Sequence, residues 1–331
     1  MTENASVLPT DGPSQGDTPP AKKQQRTDDE APAPLGPSAS HSGDDPHTAT
    51  TGLDTSVPCV SQGCPNGLLC EMGPIPRARW EQLVLDTSRD SHAFLLRARD
   101  TGLAPFFPRW YNLLQPQACK AWTNAHYRGK RLLRSTAWWV QSPCECAYVY
   151  SDTHQPVAVD PSFDSVMKEI TGQVVKALGL QTCPPNSANL NYYPPGAGVG
   201  YHADDEDLFD GLRRSICIIS LSLSPPKSQS PEGDRWFQIR LKPALVAAES
   251  TVGDSSVKEG VNGFTEAVIH PGDLMTMEGH FQKYYQHSVW PGDRTDVVQE
   301  ATAPHRKALG ERINVTWRWI VQHTPACPVH C

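Results

Sequence analysis

Two histidines and one aspartate have the residue types and the spacing of a metal site. His202 and Asp204 stand two positions apart, and in an extended chain such residues point to the same side. His287, in a later strand-like segment, can supply a second imidazole. Two imidazoles and one carboxylate form the facial triad that binds Fe(II) and leaves coordination positions open. Taken alone, a His-x-Asp pair is also compatible with a solvated turn.

Polar and apolar residues alternate along residues 312–322. The polar residues on one face are Arg312, Asn314, Thr316 and Arg318, and the apolar residues on the other are Ile313, Val315, Trp317, Trp319 and Val321. Two guanidinium groups inside a barrel are costly unless an anion pairs with them. A dicarboxylate cosubstrate would do so, because guanidinium binds carboxylate through two parallel hydrogen bonds. The alternative is an edge strand with a wet polar face.

Helical patterns precede the metal motif. Residues 161–180 predict an amphipathic helix that begins after Asp160, and Pro161 suits its first turn. Residues 80–99 have a mixed helical pattern, and residues 117–127 predict a further helix behind Pro116.

Short strands dominate after residue 180. They are predicted at residues 189–193, 215–224, 236–242, 267–270, 274–277, 284–289 and 312–322. Many short strands separated by Gly and Pro, without alternating helices, indicate a β-sandwich or jelly roll. Residues 243–266 and 291–311 are predicted as long loops at its rim.

The composition divides the chain unevenly. None of the first 79 residues is aromatic, so this stretch cannot bury enough apolar area to offset the entropy of ordering. We predict a disordered acidic Pro/Ser-rich tail at 1–70, a helical lead-in at 71–104, a folded domain at 105–324 and a C-terminal tail at 325–331. The tail carries nine acidic and three basic residues, so most of the net charge of -7 belongs to it.

The remaining charge is nearly balanced, which argues against a uniformly basic nucleic-acid binder. No apolar run reaches the roughly 18 residues of a membrane span, and the first residues lack a secretory signal. We therefore expect an intracellular monomer in the nucleus or cytoplasm. The nucleus is favoured by the basic residues of Lys22-Lys23-Gln24-Gln25-Arg26, although three bases in five residues also occur by chance.

Four motifs together resemble the AlkB family of Fe(II)- and 2-oxoglutarate-dependent dioxygenases. They are Asn191-Tyr192-Tyr193, His202-Ala203-Asp204, His287 and Arg312-Ile313-Asn314-Val315-Thr316-Trp317-Arg318. The family pattern is Asn-x-Tyr, His-x-Asp, a distal His and Arg-x-Asn-x-Thr-x-Arg. The resemblance covers about residues 106–323 and makes 105–324 an AlkB-like dioxygenase domain. The four motifs together are specific to this family, whereas each motif alone is not.

The resemblance implies a mainly β fold with flanking helices, a double-stranded β-helix (jelly roll). It implies Fe(II) bound by His202, Asp204 and His287, with 2-oxoglutarate and O2 as cosubstrates and ascorbate as a reductant in vitro. Its implied cosubstrate-binding residues are Asn191, Tyr193, Arg312, Asn314 and Arg318. Arg312 would hold the distal carboxylate of 2-oxoglutarate, and Arg318 would lie near its chelating end and Asp204.

The substrate implied by the resemblance is an N-alkylated base in DNA or RNA, which is dealkylated oxidatively. A basic segment with aromatic residues suits a phosphate backbone and a stacked base, and its members are Arg128, Lys130, Arg131, Arg134, Trp138, Trp139 and Tyr148. An enzyme of this kind must flip the base out of a duplex and stack it. Two adjacent tryptophans are equally often part of a core. Glu206, beyond the metal motif, is a candidate for positioning the substrate amine, and a solvated acidic loop is its alternative.

Two rival functions and one further metal site stay open. The same chemistry could act on protein or lipid, or the fold could serve as a non-catalytic binding module. Zinc binding is a weaker hypothesis, because the cysteines and histidine near the two ends contain no tight Cys-x-x-Cys pair. These residues are Cys59, Cys64, Cys70, Cys327, His330 and Cys331.

Overall fold

The computed structural model describes residues 77–127, 129–150, 153–226, 233–250, 264–290 and 310–329. In these ranges, the strands are β1 (Trp80–Asp86), β2 (Ser91–Leu96), β3 (Thr123–Tyr127), β4 (Lys130–Val140), β5 (Tyr148–Tyr150), β6 (Thr153–Gln155), β7 (Ser187–Tyr193), β8 (Val199–His202), β9 (Ile216–Leu223), β10 (Arg235–Leu241), β11 (Phe264–Ile269), β12 (Leu274–Gly279), β13 (Tyr285–Trp290) and β14 (Arg312–Arg318). The helices are α1 (Phe107–Leu114), α2 (Pro161–Leu178) and α3 (Pro243–Ser250), with short helical turns at Arg77–Arg79, Ala98–Thr101, Ala104–Phe106 and Phe281–Tyr284. The predicted tail at 1–70 and its basic cluster lie outside the described residues.

Two antiparallel sheets form a sandwich. The major sheet has eight strands in the order β1-β2-β12-β9-β14-β7-β4-β3, and the minor sheet has four in the order β11-β10-β13-β8. Buried side chains from both sheets pack together, among them Leu95, Ile218 and Met277 of the major sheet and Phe237 and Ile239 of the minor sheet. The predicted mainly β, jelly-roll fold is confirmed. None of the described helices is long and apolar enough to cross a membrane.

Helices α1 and α2 cover the outer face of the major sheet. The Asp160 carboxylate accepts hydrogen bonds from the first backbone N–H groups of α2, and Gly179 ends the helix in a left-handed conformation with φ of 71°. Phe163, Ile170 and Val174 on the buried side of α2 join the core that includes Trp317 of β14. The helix predicted at 161–180 is therefore confirmed, and it supports the strand that carries the two arginines.

The predicted helical lead-in is wrong, because its central part is a β-hairpin. β1 and β2 pair in an antiparallel hairpin, and β2 pairs in turn with β12 of the major sheet. Every residue of β2 is buried. A strand covered on both faces shows a continuous apolar run, which periodicity alone does not separate from a buried helix. The predicted boundary at 104/105 accordingly cuts through the sheet.

The helix predicted at 117–127 is also wrong. Helix α1 lies earlier, and its C-cap residue Gln115 has a ψ of 149°. Such an extended residue is typical before a proline, so Pro116 follows a helix rather than starting one. Residues 123–127 form β3 at the edge of the major sheet, paired with β4.

Two of the three loop or tail predictions need revision, and the third is not tested. Residues 243–250 form α3, and β11 already begins at Phe264, so the described parts of the predicted loop 243–266 are regular structure. The loop predicted at 291–311 lies almost wholly outside the described residues. Cys327 in the predicted C-terminal tail is buried, because it packs with Cys144 and Cys146 in a small core cluster.

Candidate metal centre and cosubstrate pocket

The three predicted metal ligands meet at one point between the sheets. His202 ends β8 and is the register partner of His287 in β13, so the two imidazoles face each other with ring centroids 4.2 Å apart. Asp204 follows two residues later, and its Oδ1 lies 3.7 Å from His202 Nε2. One ligand atom from each residue lies within 4.8 Å of the other two. His202 Nδ1 donates a hydrogen bond to the Gly200 carbonyl at 2.8 Å, which leaves Nε2 as the nitrogen that could bind a metal.

The charge of the Asp204 carboxylate is held by a buried arginine. Arg318 Nη2 donates to Asp204 Oδ2 at 2.5 Å, and both side chains are almost completely buried. Burial by itself raises the pKa of Asp204, but the Arg318 guanidinium and the two imidazoles outweigh it and hold this pKa well below its usual range. Asp204 is therefore an anion at neutral pH, as a metal ligand must be.

Burial favours the neutral form of both imidazoles. Burial lowers the pKa of His202 below its ordinary value, although the Asp204 charge opposes this shift. Burial and the neighbouring His202 lower the pKa of His287 to about 3. Two neutral imidazoles and one carboxylate give the donor set that suits Fe(II), so the residues present fit the predicted metal.

A pocket of about 250 Å³ extends from this centre along the inner face of the major sheet. All three metal ligands line it, together with the five residues predicted to bind the cosubstrate, which are Asn191, Tyr193, Arg312, Asn314 and Arg318. Register explains their convergence: Arg312 pairs with Tyr193 and Asn314 with Asn191 across β14 and β7. The predicted polar face of β14 therefore points into the pocket and not into bulk solvent.

Arg312 is a buried cation with a hydrogen-bond donor that is available to a ligand. It is 2% exposed; its Nε donates to Ser222 Oγ at 2.8 Å and its Nη2 to Asn314 Oδ1 at 2.6 Å. Its Nη1 has no hydrogen-bond partner among the described residues. Burial lowers the pKa of Arg312 to about 10, so the side chain remains charged at neutral pH. A buried guanidinium in this state fits the carboxylate of a bound ligand.

Hydrogen bonds between side chains hold the remaining polar groups that line the pocket. Asn314 Oδ1 also accepts from Ser220 Oγ at 3.0 Å, while its Nδ2 donates to Thr316 Oγ1 at 2.7 Å. Asn191 donates to Asn189 at 2.8 Å and accepts from Arg134 Nε at 3.1 Å. These bonds orient the amide groups before any ligand is bound.

Arg318 has spare donors at the metal end of the pocket. Its Nε and Nη1 are buried and find no partner within the described ranges, while its Nη2 is committed to Asp204. The guanidinium carbon lies 5.3 Å from the ring centroid of Phe209 and 5.8 Å from that of Tyr148. Arg312 and Arg318 therefore present unpaired donors at two positions along the pocket, which fits a ligand with two acidic ends such as 2-oxoglutarate.

The predicted stacking role of the two tryptophans is wrong. Trp138 is 0% exposed and its Nε1 donates to the Cys146 carbonyl at 2.8 Å. Trp139 is 3% exposed and its Nε1 donates to Asp164 of α2 at 2.9 Å. Neither lines the pocket, because their strand is covered on both faces here, so each tryptophan belongs to a core cluster.

Two tyrosines on β5, the predicted Tyr148 and its neighbour Tyr150, are the aromatic residues of this region that line the pocket. Tyr148 and Tyr150 both line it, with nearly parallel rings whose centroids are 6.4 Å apart. Trp138 stacks behind Tyr148 at 4.9 Å. The Tyr148 hydroxyl donates to the Glu206 carboxylate, so Glu206 contacts this tyrosine from outside the pocket lining. Burial and the Asp204 charge raise the pKa of Glu206 to about 7.

The predicted basic residues divide into three groups. Arg134 lines the pocket beside Asn191. Lys130 and Arg131 are exposed at the start of β4, away from the pocket lining, and Arg128 lies outside the described residues. Lys130 and Arg131 lie on the same strand as Arg134, a few residues before it.

Sequence reasoning missed several pocket residues. Ser220 and Ser222 of β9 hold Asn314 and Arg312, and the serine face of that strand was visible in its alternation. Tyr150 stands two residues after Tyr148, so the same alternation places both rings on one side. His126 and His154 also line the pocket, but nothing in their sequence surroundings singles them out.

Of the comparisons with known proteins, the one with protein families agrees with this geometry. A family model described as the 2OG-Fe(II) oxygenase superfamily matches residues 110–318, which include the three metal ligands and both pocket arginines. A solved structure of OsALKBH1 is 16% identical, with coverage of 72% of this chain and 100% of that chain and a TM-score of 0.37. A comparison with curated proteins found no match.

Proposed function

We propose that this chain, which belongs to the 2OG-Fe(II) oxygenase superfamily, is an AlkB-like dioxygenase that dealkylates N-alkylated bases of DNA or RNA. The observation that carries this proposal is the combination of groups along one pocket. A His-Asp-His centre, two arginines that each keep at least one N–H group without a partner among the described residues, and a pair of tyrosine rings all face the same space.

Bound iron and 2-oxoglutarate would supply the oxidation, in which 2-oxoglutarate and O2 yield succinate and carbon dioxide while one oxygen atom enters a C–H bond beside the base nitrogen. The hydroxylated alkyl group then leaves as an aldehyde when its C–N bond breaks, and the nitrogen takes up a proton. His202, Asp204 and His287 would hold the metal. Arg312 would bind the distal carboxylate, and Arg318 would keep Asp204 charged and oriented.

Aromatic and basic residues at the pocket support the proposed substrate class. A flipped-out base needs a flat apolar surface, and stacking on an aromatic side chain is worth about 1–3 kcal/mol per base. The Tyr150 ring lies nearly parallel to the Tyr148 ring, and it is the ring best placed to stack on a base. Arg134, Lys130 and Arg131 add positive charge on the neighbouring strand, where a phosphate backbone would pass.

The test is mass spectrometry of methylated oligonucleotides, single- and double-stranded, DNA and RNA, incubated with the enzyme, Fe(II), 2-oxoglutarate and ascorbate. We expect at least one of the four to lose its methyl group with formation of succinate and formaldehyde. Asp204→Asn, which keeps the shape but weakens the metal site, is the inactive control.

The alternatives give different results in the same assay. Iron and 2-oxoglutarate binding without demethylation of any oligonucleotide would overturn the nucleic-acid proposal and favour a protein or lipid substrate. Failure to bind either ligand would instead support a non-catalytic module.

A further inference from the structure

A second group of metal-ligating side chains lies outside the pocket. Cys144 and Cys146 are in the loop between β4 and β5, and His323 and Cys327 are in the segment after β14. One ligand atom from each lies within 4.8 Å of the other three. The four residues come from two segments that are far apart in the sequence, so the fold itself creates the cluster.

Four of the six distances between ligand atoms in the cluster match the edges of a tetrahedron around a zinc ion. His323 Nδ1 lies 3.6 Å from Cys144 Sγ, 3.6 Å from Cys146 Sγ and 3.4 Å from Cys327 Sγ. Cys327 Sγ lies 3.7 Å from Cys144 Sγ. With Zn–S bonds of about 2.3 Å and Zn–N bonds of about 2.0 Å, the tetrahedral edges are about 3.8 Å for S–S and about 3.5 Å for S–N. The observed separations agree with both edge lengths.

The chemistry of the donor set also points to zinc. Each of the three cysteines is buried, and each is free of disulfide bonds in the part of the chain that the structure describes. The backbone N–H of Thr324 donates to Cys146 Sγ at 3.4 Å, an arrangement that stabilises a thiolate. Three thiolates and one imidazole form the closed Cys3His set of structural zinc sites, whereas the His-Asp-His centre has open positions and harder donors.

We propose that Cys144, Cys146, His323 and Cys327 bind one structural Zn2+ ion. The ion joins the segment after β14 to the loop that follows β4. This junction lies directly behind the pocket, because Cys144, Cys146 and Cys327 pack in the same small cluster as Trp138, Tyr148 and Phe209. Zinc would thus hold the layer against which the pocket tyrosine Tyr148 stacks.

The ligand set differs from the one that the sequence suggested. Cys327 belongs to both sets, but its partners here are Cys144, Cys146 and His323. The other candidates, Cys59, Cys64, Cys70, His330 and Cys331, lie outside the described residues. The two sets are distinguished by separate variants.

The first experiment measures metal content of the full chain, purified after expression with zinc, by elemental mass spectrometry. We expect about one zinc per chain, and its loss in Cys327→Ser and in His323→Ala. Zinc should remain in Cys183→Ser, in the triple variant Cys59→Ser/Cys64→Ser/Cys70→Ser and in the iron-site variant Asp204→Asn. Zinc that is retained by both ligand variants, or lost only in the triple variant, would overturn the assignment.

The second experiment needs no variant and stays decisive if the ligand variants fail to fold. X-ray absorption at the zinc edge of the wild-type chain should show three sulfur neighbours at about 2.3 Å and one nitrogen at about 2.0 Å. A chain that binds no zinc at saturation, a shell of oxygen and nitrogen only, or a Cys144–Cys327 disulfide found by peptide mapping would each reject the proposal.

Discussion

Arg318 and Asp204 form a buried ion pair, with Nη2 2.5 Å from Oδ2, between the last strand of the major sheet and the residue that follows β8. The pair links the two sheets at the proposed metal centre. Asp204 has two carboxylate oxygens, and the arginine holds one of them, so the other can face the metal. Groups that orient a metal ligand in this way commonly contribute ten- to a hundredfold to metal affinity.

Replacing Arg318 should therefore weaken iron binding. For Arg318→Ala we expect a loss of about ten- to a hundredfold in Fe(II) affinity, because Asp204 loses its charge partner and its fixed orientation. Arg318→Lys should recover part of this affinity, since it keeps the charge but not the planar fork. Calorimetric titration with Fe(II) under anaerobic conditions measures the effect, with the exposed Arg131→Ala as the control. Unchanged iron affinity in a folded Arg318→Ala protein contradicts the role.

Removal of Arg312 should affect the cosubstrate and leave the metal in place. Truncation of one partner of a buried, hydrogen-bonded charge pair costs about 2–5 kcal/mol. At about 1.4 kcal/mol per tenfold change, Arg312→Ala should lose roughly thirtyfold or more in 2-oxoglutarate affinity. Arg312→Lys should restore only part of it. Iron and 2-oxoglutarate binding are measured separately, and an unchanged cosubstrate affinity would mean that the carboxylate binds elsewhere.

Tyr150 offers a test of base stacking with a matched neighbour. Tyr150→Ala should weaken oligonucleotide binding by about 1–3 kcal/mol, while 2-oxoglutarate affinity stays the same. Val149→Ala is the control, because Val149 is exposed on the opposite side of β5 and does not line the pocket. Fluorescence anisotropy with a methylated oligonucleotide measures both variants. Equal losses in the two would indicate a general effect on the β5–β6 hairpin.

We expect the Asp86 carboxylate, at the end of β1, to make a pH-dependent contribution to the stability of the fold. It accepts hydrogen bonds from Ser88 Oγ at 2.6 Å, Arg89 Nη1 at 2.6 Å and Tyr285 Oη at 2.8 Å. Burial raises its pKa, but these donors outweigh burial and lower the pKa from 3.8 to about 2. The stabilisation is therefore complete above about pH 4 and is lost as the pH falls towards 2.

Asp86→Asn should lower the free energy of unfolding at pH 7 by about 1–2 kcal/mol. The difference between wild type and variant should shrink between pH 4 and pH 3, because the carboxyl group of the unfolded chain is protonated first. Denaturant unfolding at pH 7, 4 and 3 measures the difference, and Ser88→Ala shows how much one hydrogen bond contributes. A difference that is independent of pH would assign the effect to packing.

Alternation along a single strand was the most informative pattern in the sequence. It placed Arg312, Asn314 and Arg318 on one face of β14, where the structure has them lining the pocket. The same pattern could not give the depth of burial, which depends on β7 and β9 on either side. Helix α2 was predictable because its cap residues and its apolar spacing agree with each other.

Residues buried on both faces were the source of the main errors. β2 is fully buried, so its apolar run has no period to distinguish a strand from a helix. The basic residues that precede Trp138 and Trp139 favour a substrate role for them, but aromatic type alone does not distinguish a binding surface from a core. The Cys144–Cys327 contact depends on how the ends of β4 and β14 are brought together, which no local spacing reveals.

The position of β14 has a consequence for how the protein is made. This strand lies between β9 and β7 in the middle of the major sheet, although it is the last strand among the described residues. During synthesis, the two halves of the sheet cannot join until residues 312–318 have left the ribosome, and pairing between distant segments is slow. A nascent chain stalled before this point would expose the pairing edges of β7 and β9, which are open to association with other chains. Arg312 and Arg318 arrive with that same strand, so the proposed cosubstrate pocket is completed in the step that closes the sheet.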